Sequence, residues 1–266
     1  MLSVAASDPT GGAGVQADLK AIEASGGYAV TVLTAVTSQN GSGLQAVHPL
    51  DVEVVRSQLD ELLREIEPAA VKCGALAGPR IVELLAERLE RRPDLPLVVD
   101  PVGASTGGVP LNRPETLDAI VERLFPRTSL LTPNVEEVRE LTGLKVRGEV
   151  EALRAGERIR EMGCRAVLVK GGHYGERQAV DLLVDTEGAE RFAAPRIDSP
   201  HTHGTGCVLA SAIATGLARG EPLREAVRRA KSLIQGSIEH ALSLGGPRGS
   251  VDPLHRLHRS AEESPA

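Results

Sequence analysis

Short runs of β-branched and aliphatic residues alternate along this chain with longer segments whose apolar positions recur at helical spacing. Residues 2–6, 28–35, 70–73, 97–100, 129–132, 166–170 and 179–184 read as strands. Between them, Val55, Leu59, Leu62, Leu63 and Ile66 fall on one helix face, and Ile81, Leu84, Leu85 and Leu89 on another. Residues 15–24, 150–162, 206–217 and 223–244 extend the helical pattern. Parallel strands need crossovers, so this alternation predicts a mostly parallel central sheet covered by helices on both faces. The last two helices follow the strands with no new strand between them. No repeat, linker or break in composition divides the pattern. One α/β domain is expected over residues 1–246, with residues 247–266 a polar surface tail rich in Arg, His, Ser and Glu.

Composition narrows the function. At 41% hydrophobic, 266 residues can bury a sizeable core. The net charge of −6 is spread over interspersed signs, and two Tyr, two Phe and no Trp leave little to stack on bases, which argues against a nucleic-acid partner. No run approaches the roughly 18 apolar residues of a membrane span. The first residues lack the basic start and apolar stretch of a signal peptide. Cys73, Cys164 and Cys207 are too few and too scattered for a disulfide framework, so a reducing cytoplasm is expected, with at least one free thiol.

In open α/β sheets ligands sit beyond the carboxyl ends of the strands, so the segments just after the strands are where chemistry is sought. His203-Gly204-Thr205-Gly206-Cys207 runs into an apolar helix. Two glycines there let several N–H groups converge and, with the helix dipole, form an anion site. A thiol in that field would have a lowered pKa and could serve as a base. The same residues also read as a plain glycine-rich helix start with a small core cysteine. A zinc site of His201, His203 and Cys207 matches no common four-ligand spacing.

Other segments are weaker alone. Lys170, ending a strand before Gly171 and Gly172, suits a phosphate contact or a solvated turn, and the Gly-Lys-Ser/Thr ending of a P-loop is absent. The glycine-rich turn at residues 7–14 precedes a helix carrying Asp18, which could contact a ligand or simply favour the helix start. Asp100 and Glu137 lie just after two different strands. Two such carboxylates would suffice for Mg²⁺ beside phosphates.

Taken in order, these segments resemble the hydroxymethylpyrimidine/phosphomethylpyrimidine kinases of thiamine biosynthesis, within the ribokinase-like superfamily. The resemblance runs from Val4 to about Gly246. It rests on the stretch from Ser7-Asp8-Pro9-Thr10 through Gln16-Ala17-Asp18, on Gln39-Asn40, Asp100-Pro101-Val102 and Thr132-Pro133-Asn134, and on Lys170-Gly171-Gly172-His173 and Thr202-His203-Gly204-Thr205-Gly206-Cys207. It implies a single α/β/α domain and ATP- and Mg²⁺-dependent phosphorylation of 4-amino-5-hydroxymethyl-2-methylpyrimidine, then of its monophosphate. Asp18 and Gln39 would hydrogen-bond the aminopyrimidine, with Ala6 and Val102 near its ring. Cys207 would be the base, and Gly204, Thr205, Gly206 and Cys207 the anion hole. Lys170, Asn134 and Gly172 would attend the ATP phosphates, and Asp100 and Glu137 the metal. Family members are often homodimers.

The chain departs from the family pattern at several points. Ala6 stands where Gly is common, Gly41 where Thr is usual after Gln39-Asn40, and Val208 where Thr usually follows the cysteine. After Val102, residues 103–109 lack the Lys and Asp of the common version, which puts the second phosphorylation in question. Two other readings stand beside the first. One is a pyridoxal or pyridoxine kinase, whose substrate also carries a hydroxymethyl on a flat ring. The other is a non-catalytic pyrimidine-binding regulator.

Overall fold

The structure is a computed structural model that describes residues 1–103, 111–171 and 177–262. Nine strands form one sheet in the order β3-β2-β1-β4-β5-β6-β7-β8-β9. The central strands β2 (Val30–Asn40), β1 (Leu2–Ser7), β4 (Val71–Cys73), β5 (Leu97–Val99), β6 (Leu130–Leu131) and β7 (Val167–Gly171) pair in parallel. At the margins β3 (Gly43–Pro49), β8 (Gln178–Asp185) and β9 (Gly188–Pro195) run antiparallel. The mostly parallel α/β/α domain expected from the alternation is what forms, and it is ribokinase-like.

Successive strand residues point to opposite faces, and the core divides accordingly. Val71, Cys73, Leu97 and Val99 face one layer, with α2 (Val52–Glu65), α3 (Pro79–Glu90) and α6 (Glu149–Glu161) packed on it. Val98, Leu130, Leu168 and Leu183 face the other, which holds α1 (Gly14–Ala24), α7 (Thr205–Ala218) and α8 (Leu223–Glu239). The helix α7 buries nine consecutive residues from Val208 to Gly216, so it is the central helix of its layer.

Several elements lie outside the expected set. The edge strands β3 and β9 are interrupted by polar and half-exposed positions, which hides the two-residue period. The helices α4 (Pro114–Ala119) and α5 (Val135–Thr142) are too short to show helical periodicity. The C-terminal segment also differs from the surface tail expected from residue 247. Ser250, Val251, Asp252 and His255 are buried. Ser250 pairs with both Leu242 and His203, ahead of α9 (His255–Glu262). Val251 completes the apolar layer under α7 and α8, and that burial holds the segment down. Among the described residues, no helix is long and apolar enough to cross a membrane.

Candidate active site

Two glycine-rich turns meet at the carboxyl end of the sheet. The first, residues 8–13, is wound around Asp8, which is 1% exposed. The carboxylate of Asp8 accepts hydrogen bonds from the N–H groups of Thr10 (2.8 Å) and Ala13 (2.7 Å) and from the Thr10 hydroxyl. Its Oδ2 also lies 2.9 Å from His203 Nε2, in the second turn. Burial works against the charge on Asp8, but His203 and Thr10 outweigh it and hold its pKa at about 2. The turns touch through backbone at Gly204, where φ is +86° and an added Cβ would lie 1.8 Å from the Gly12 carbonyl oxygen. Only glycine permits that approach.

The Asp8 site has a signed pH consequence. Its folded pKa of about 2 lies below the unfolded value near 3.8, so its stabilisation is present above pH 4 and is lost as pH falls through about 2. Asp8→Asn is expected to lower stability at pH 7 by about 2 kcal/mol and to flatten the loss between pH 4 and 2. Urea unfolding at several pH values checks both.

From Gly204 the chain enters α7. The Thr205 N–H closes onto the Thr202 carbonyl (3.3 Å), and the first helical bond runs from Val208 N–H to Gly204 (3.0 Å). The N–H groups of Gly206 and Cys207 therefore begin the helix with no intrahelical partner. They open beside a charged group: a Cβ on Gly206 would lie 3.2 Å from Lys170 Nζ and 3.3 Å from Asp100 Oδ2. Lys170 Nζ donates to Asp100 Oδ1 (2.8 Å) and lies 3.9 Å from Glu137 Oε2. Burial opposes the Lys170 charge, yet the Asp100 and Glu137 carboxylates raise its pKa. Asp100 is likewise held ionised against burial by Lys170 and Lys72, with the Thr132 hydroxyl donating to it at 3.0 Å. Glu137 goes the other way. Burial pushes it up to about 7, more than Lys170 can offset, and Asp100 adds repulsion.

The structure thus brings Gly204, Thr205, Gly206, Lys170, Asp100 and Glu137 together. Glu137 is no solvated helix acid, being 7% exposed. Asn134 and Glu137 form a reciprocal cap on α5: the Asn134 side chain accepts from the Glu137 N–H (2.9 Å), and Glu137 Oε2 accepts from the Asn134 N–H (2.7 Å). Asn134 therefore orients Glu137. Gly172, expected near the phosphates, and residues 104–109 of the altered loop lie outside the described residues.

Beside this charged end Ala6, Ala35 and Ala75 pack into a small apolar cluster, with Val102, Val47, Ala77 and Leu111 against it, where the substrate pocket was expected. Ala6 and Val102, expected near a substrate ring, meet there. Gln39 is half-buried on β2, four residues beyond Ala35 and so on the same strand face. Asn112, which no sequence signal marked, ties the backbone around this cluster together: its Oδ1 accepts from the N–H groups of Leu76 and Ala77 (both 3.1 Å), and its Nδ2 donates to the Val102 carbonyl (2.8 Å).

Two expectations change. Asp18 does not open onto the pocket. Its side chain is fully buried, with Lys72 Nζ at 2.8 and 2.9 Å from its oxygens, Ser3 Oγ at 2.5 Å and Ser211 Oγ at 2.8 Å. The face of α1 that carries Asp18 lies on the sheet, where a buried lysine neutralises it. Cys207 is half-buried at the start of α7, as expected, but its thiol is not acidified. Burial pushes its pKa up to about 11, and Asp18 and Asp100 repel the thiolate. The Lys72 ammonium and a hydrogen bond from the Gly14 N–H offset only part of this. Lys72 itself was missed, although a lysine inside Ala70-Val71-Lys72-Cys73, otherwise apolar, is a readable anomaly.

A mostly parallel sheet with an open helix start at its carboxyl end, and a lysine and two carboxylates beside it, is the arrangement of a phosphotransferase of the ribokinase-like class. The model of the phosphomethylpyrimidine kinase family matches residues 8–252. A hydroxymethylpyrimidine/phosphomethylpyrimidine kinase of Streptomyces coelicolor is 46% identical over 95% of this chain and 93% of its own. The chain belongs to the phosphomethylpyrimidine kinase family. Among solved structures, phosphomethylpyrimidine kinase from Clostridium difficile superposes with a TM-score of 0.77 at 38% identity, over 88% of this chain and 96% of that one. An ADP complex of Bacillus subtilis pyridoxal kinase gives 0.87 at 33% identity, over 96% and 98%.

Proposed function

We propose that this chain transfers the γ-phosphoryl group of ATP to the hydroxymethyl of 4-amino-5-hydroxymethyl-2-methylpyrimidine, and then to the resulting monophosphate, in thiamine biosynthesis. The observation that carries this reading is the convergence of the Gly204–Cys207 turn, Lys170 and Asp100 beside a cluster of alanines. Phosphoryl transfer is mostly positioning and charge stabilisation, which this set can supply. The pyrimidine ring would lie against Ala6, Ala35 and Val102 with Gln39 at its polar edge, and its hydroxymethyl would point toward Cys207. The N–H groups of Gly206 and Cys207 would receive charge developing on the transferred group, and Lys170 would meet its nonbridging oxygens.

The nucleotide would approach this point from the far side of the sheet edge. A cleft of about 820 Å³ runs between β9 and α8, lined by Phe192, Lys231, Gln235, His240 and His255. Lys231 pairs with Asp181, whose other oxygen accepts the Gly171 N–H (3.0 Å), one residue from Lys170. The adenosine would occupy this cleft. Asp100 and Glu137 fit a hard divalent cation, as two buried carboxylates of which Glu137 is short of positive charge. They would hold Mg²⁺, which when bound neutralises charge on the phosphates.

Product analysis tests the proposal. Pure protein with ATP, Mg²⁺ and the pyrimidine is expected to give monophosphate and then diphosphate, the second step slower because residues 103–109 lack a cation. Absence of any phosphorylated pyrimidine overturns the reading. The likeness to pyridoxal kinase makes pyridoxal the competing substrate, and a higher kcat/KM for pyridoxal would replace the pyrimidine.

A further inference from the structure

Among the described residues, Asp18–Lys72 is the most deeply buried ion pair, both side chains having no exposed surface. Lys72 is held charged against burial, chiefly by Asp18 and also by Asp100. Strand alternation explains its direction: Val71 and Cys73 face the α2–α3 layer, so Lys72 faces α1 and α7. Asp18 comes from α1, and Ser211, which donates to it at 2.8 Å, comes from α7. Ser211 lies four residues after Cys207 and so sits one turn below it on the same face of that helix. A Cβ on Gly74 would lie 2.9 Å from Lys72 Nζ, so the strand end leaves no slack around the ammonium.

We infer that Asp18 and Lys72 are positioning residues that act through Cys207: the pair clamps α1, β4 and α7 beneath the anion turn and sets the charge the thiol feels. Asp18 thus has a role other than binding the pyrimidine ring. The inference uses the proposed reading only in placing Cys207 at the reacting end. A buried ion pair is weak as a source of stability, since desolvation consumes most of its attraction. Retaining it one helical turn below the thiol makes sense electrostatically. Four charged groups act on Cys207: Lys72 from β4, Asp18 from α1, Asp100 after β5 and Lys170 from β7, with the Gly14 N–H donating to the sulfur. Of these, Lys72 acts more strongly on the thiol than Asp18 does. Removing Asp18's charge should therefore remove one repulsion from the sulfur, with Asp100 remaining to hold Lys72 charged. Removing Lys72 should leave the thiol harder to ionise, whether or not Asp18 then takes up a proton.

Alkylation by iodoacetamide reads this directly, without turnover. Cys73 and Cys164 are buried with pKa values of about 12, so Cys207 is the thiol that reacts first. Asp18→Asn, which keeps the shape and one acceptor oxygen, is expected to speed Cys207 modification at pH 8 by tenfold or more and to move its pH profile down. Lys72→Met is expected to slow it. In steady state Asp18→Asn should alter kcat and its pH dependence more than the pyrimidine KM. An unchanged alkylation rate in folded Asp18→Asn, or a rise in KM alone, overturns the inference and returns Asp18 to substrate binding. Should Asp18→Asn not fold, Lys72→Met decides: an unchanged or faster rate overturns it. Since alkylation needs no substrate, it can succeed even if the pyrimidine assignment fails.

Discussion

Gly204→Ala is expected to remove phosphoryl transfer almost entirely, by a factor of 10³ or more in kcat, from about 10²–10³ for each misplaced anion-hole donor. The cost has two separable parts. The backbone at Gly204 sits at φ +86°, which disfavours any side chain by about 1–2 kcal/mol. The larger part is contact, since a methyl group would lie 1.8 Å from the Gly12 carbonyl oxygen and 2.9 Å from its carbon. That carbonyl belongs to the turn held by Asp8, whose bonds to Thr10, Ala13 and His203 resist movement. The start of α7 must therefore shift instead, carrying the N–H groups of Gly206 and Cys207 away from Lys170. Gly220→Ala is the control. It has a similar φ of +79° but nothing within 4 Å, so it should cost about 1 kcal/mol of stability and leave activity unchanged. Equal losses of activity in both variants would mean that strain, not the collision, is responsible.

The same collision shows what was readable before the structure. The mostly parallel sheet with helices on both faces follows from the alternation of apolar runs, because parallel strands need crossovers. The chemistry-bearing residues follow from their place at strand ends, and Lys170, Asp100 and Glu137 meet across three of them. Sequence position could not reveal what each side chain faces. The resemblance put Asp18 against the aminopyrimidine, yet its partner Lys72 is 54 residues away on another strand. The helix field was expected to acidify Cys207, but burial and two nearby carboxylates outweigh it. Asn112 and Ser250 carry no local signature, since their roles are to bond backbone brought near by the fold.

Cys207→Ala is expected to separate the two phosphorylations. An alcohol must lose its proton during transfer, and a positioned base contributes roughly 10²–10⁴ to that step. The monophosphate offers an oxygen already ionised, so it needs no such base. The raised pKa of about 11 sharpens the prediction. At pH 7 only ~10⁻⁴ of the thiol is ionised, and that fraction grows about tenfold per pH unit up to the pKa. Phosphorylation of the alcohol should therefore accelerate with pH between 7 and 10 in the wild type. In Cys207→Ala it should fall by about 10² at pH 8, the low end of the range for a sparsely ionised base, and lose that acceleration. Transfer to the monophosphate should change by less than about tenfold and keep its pH profile. Single-turnover rates for both substrates, from pH 6.5 to 10, measure the split. If both steps fall equally with unchanged pH profiles, Cys207 positions the phosphate through its backbone N–H and shape, and the proton leaves by another route.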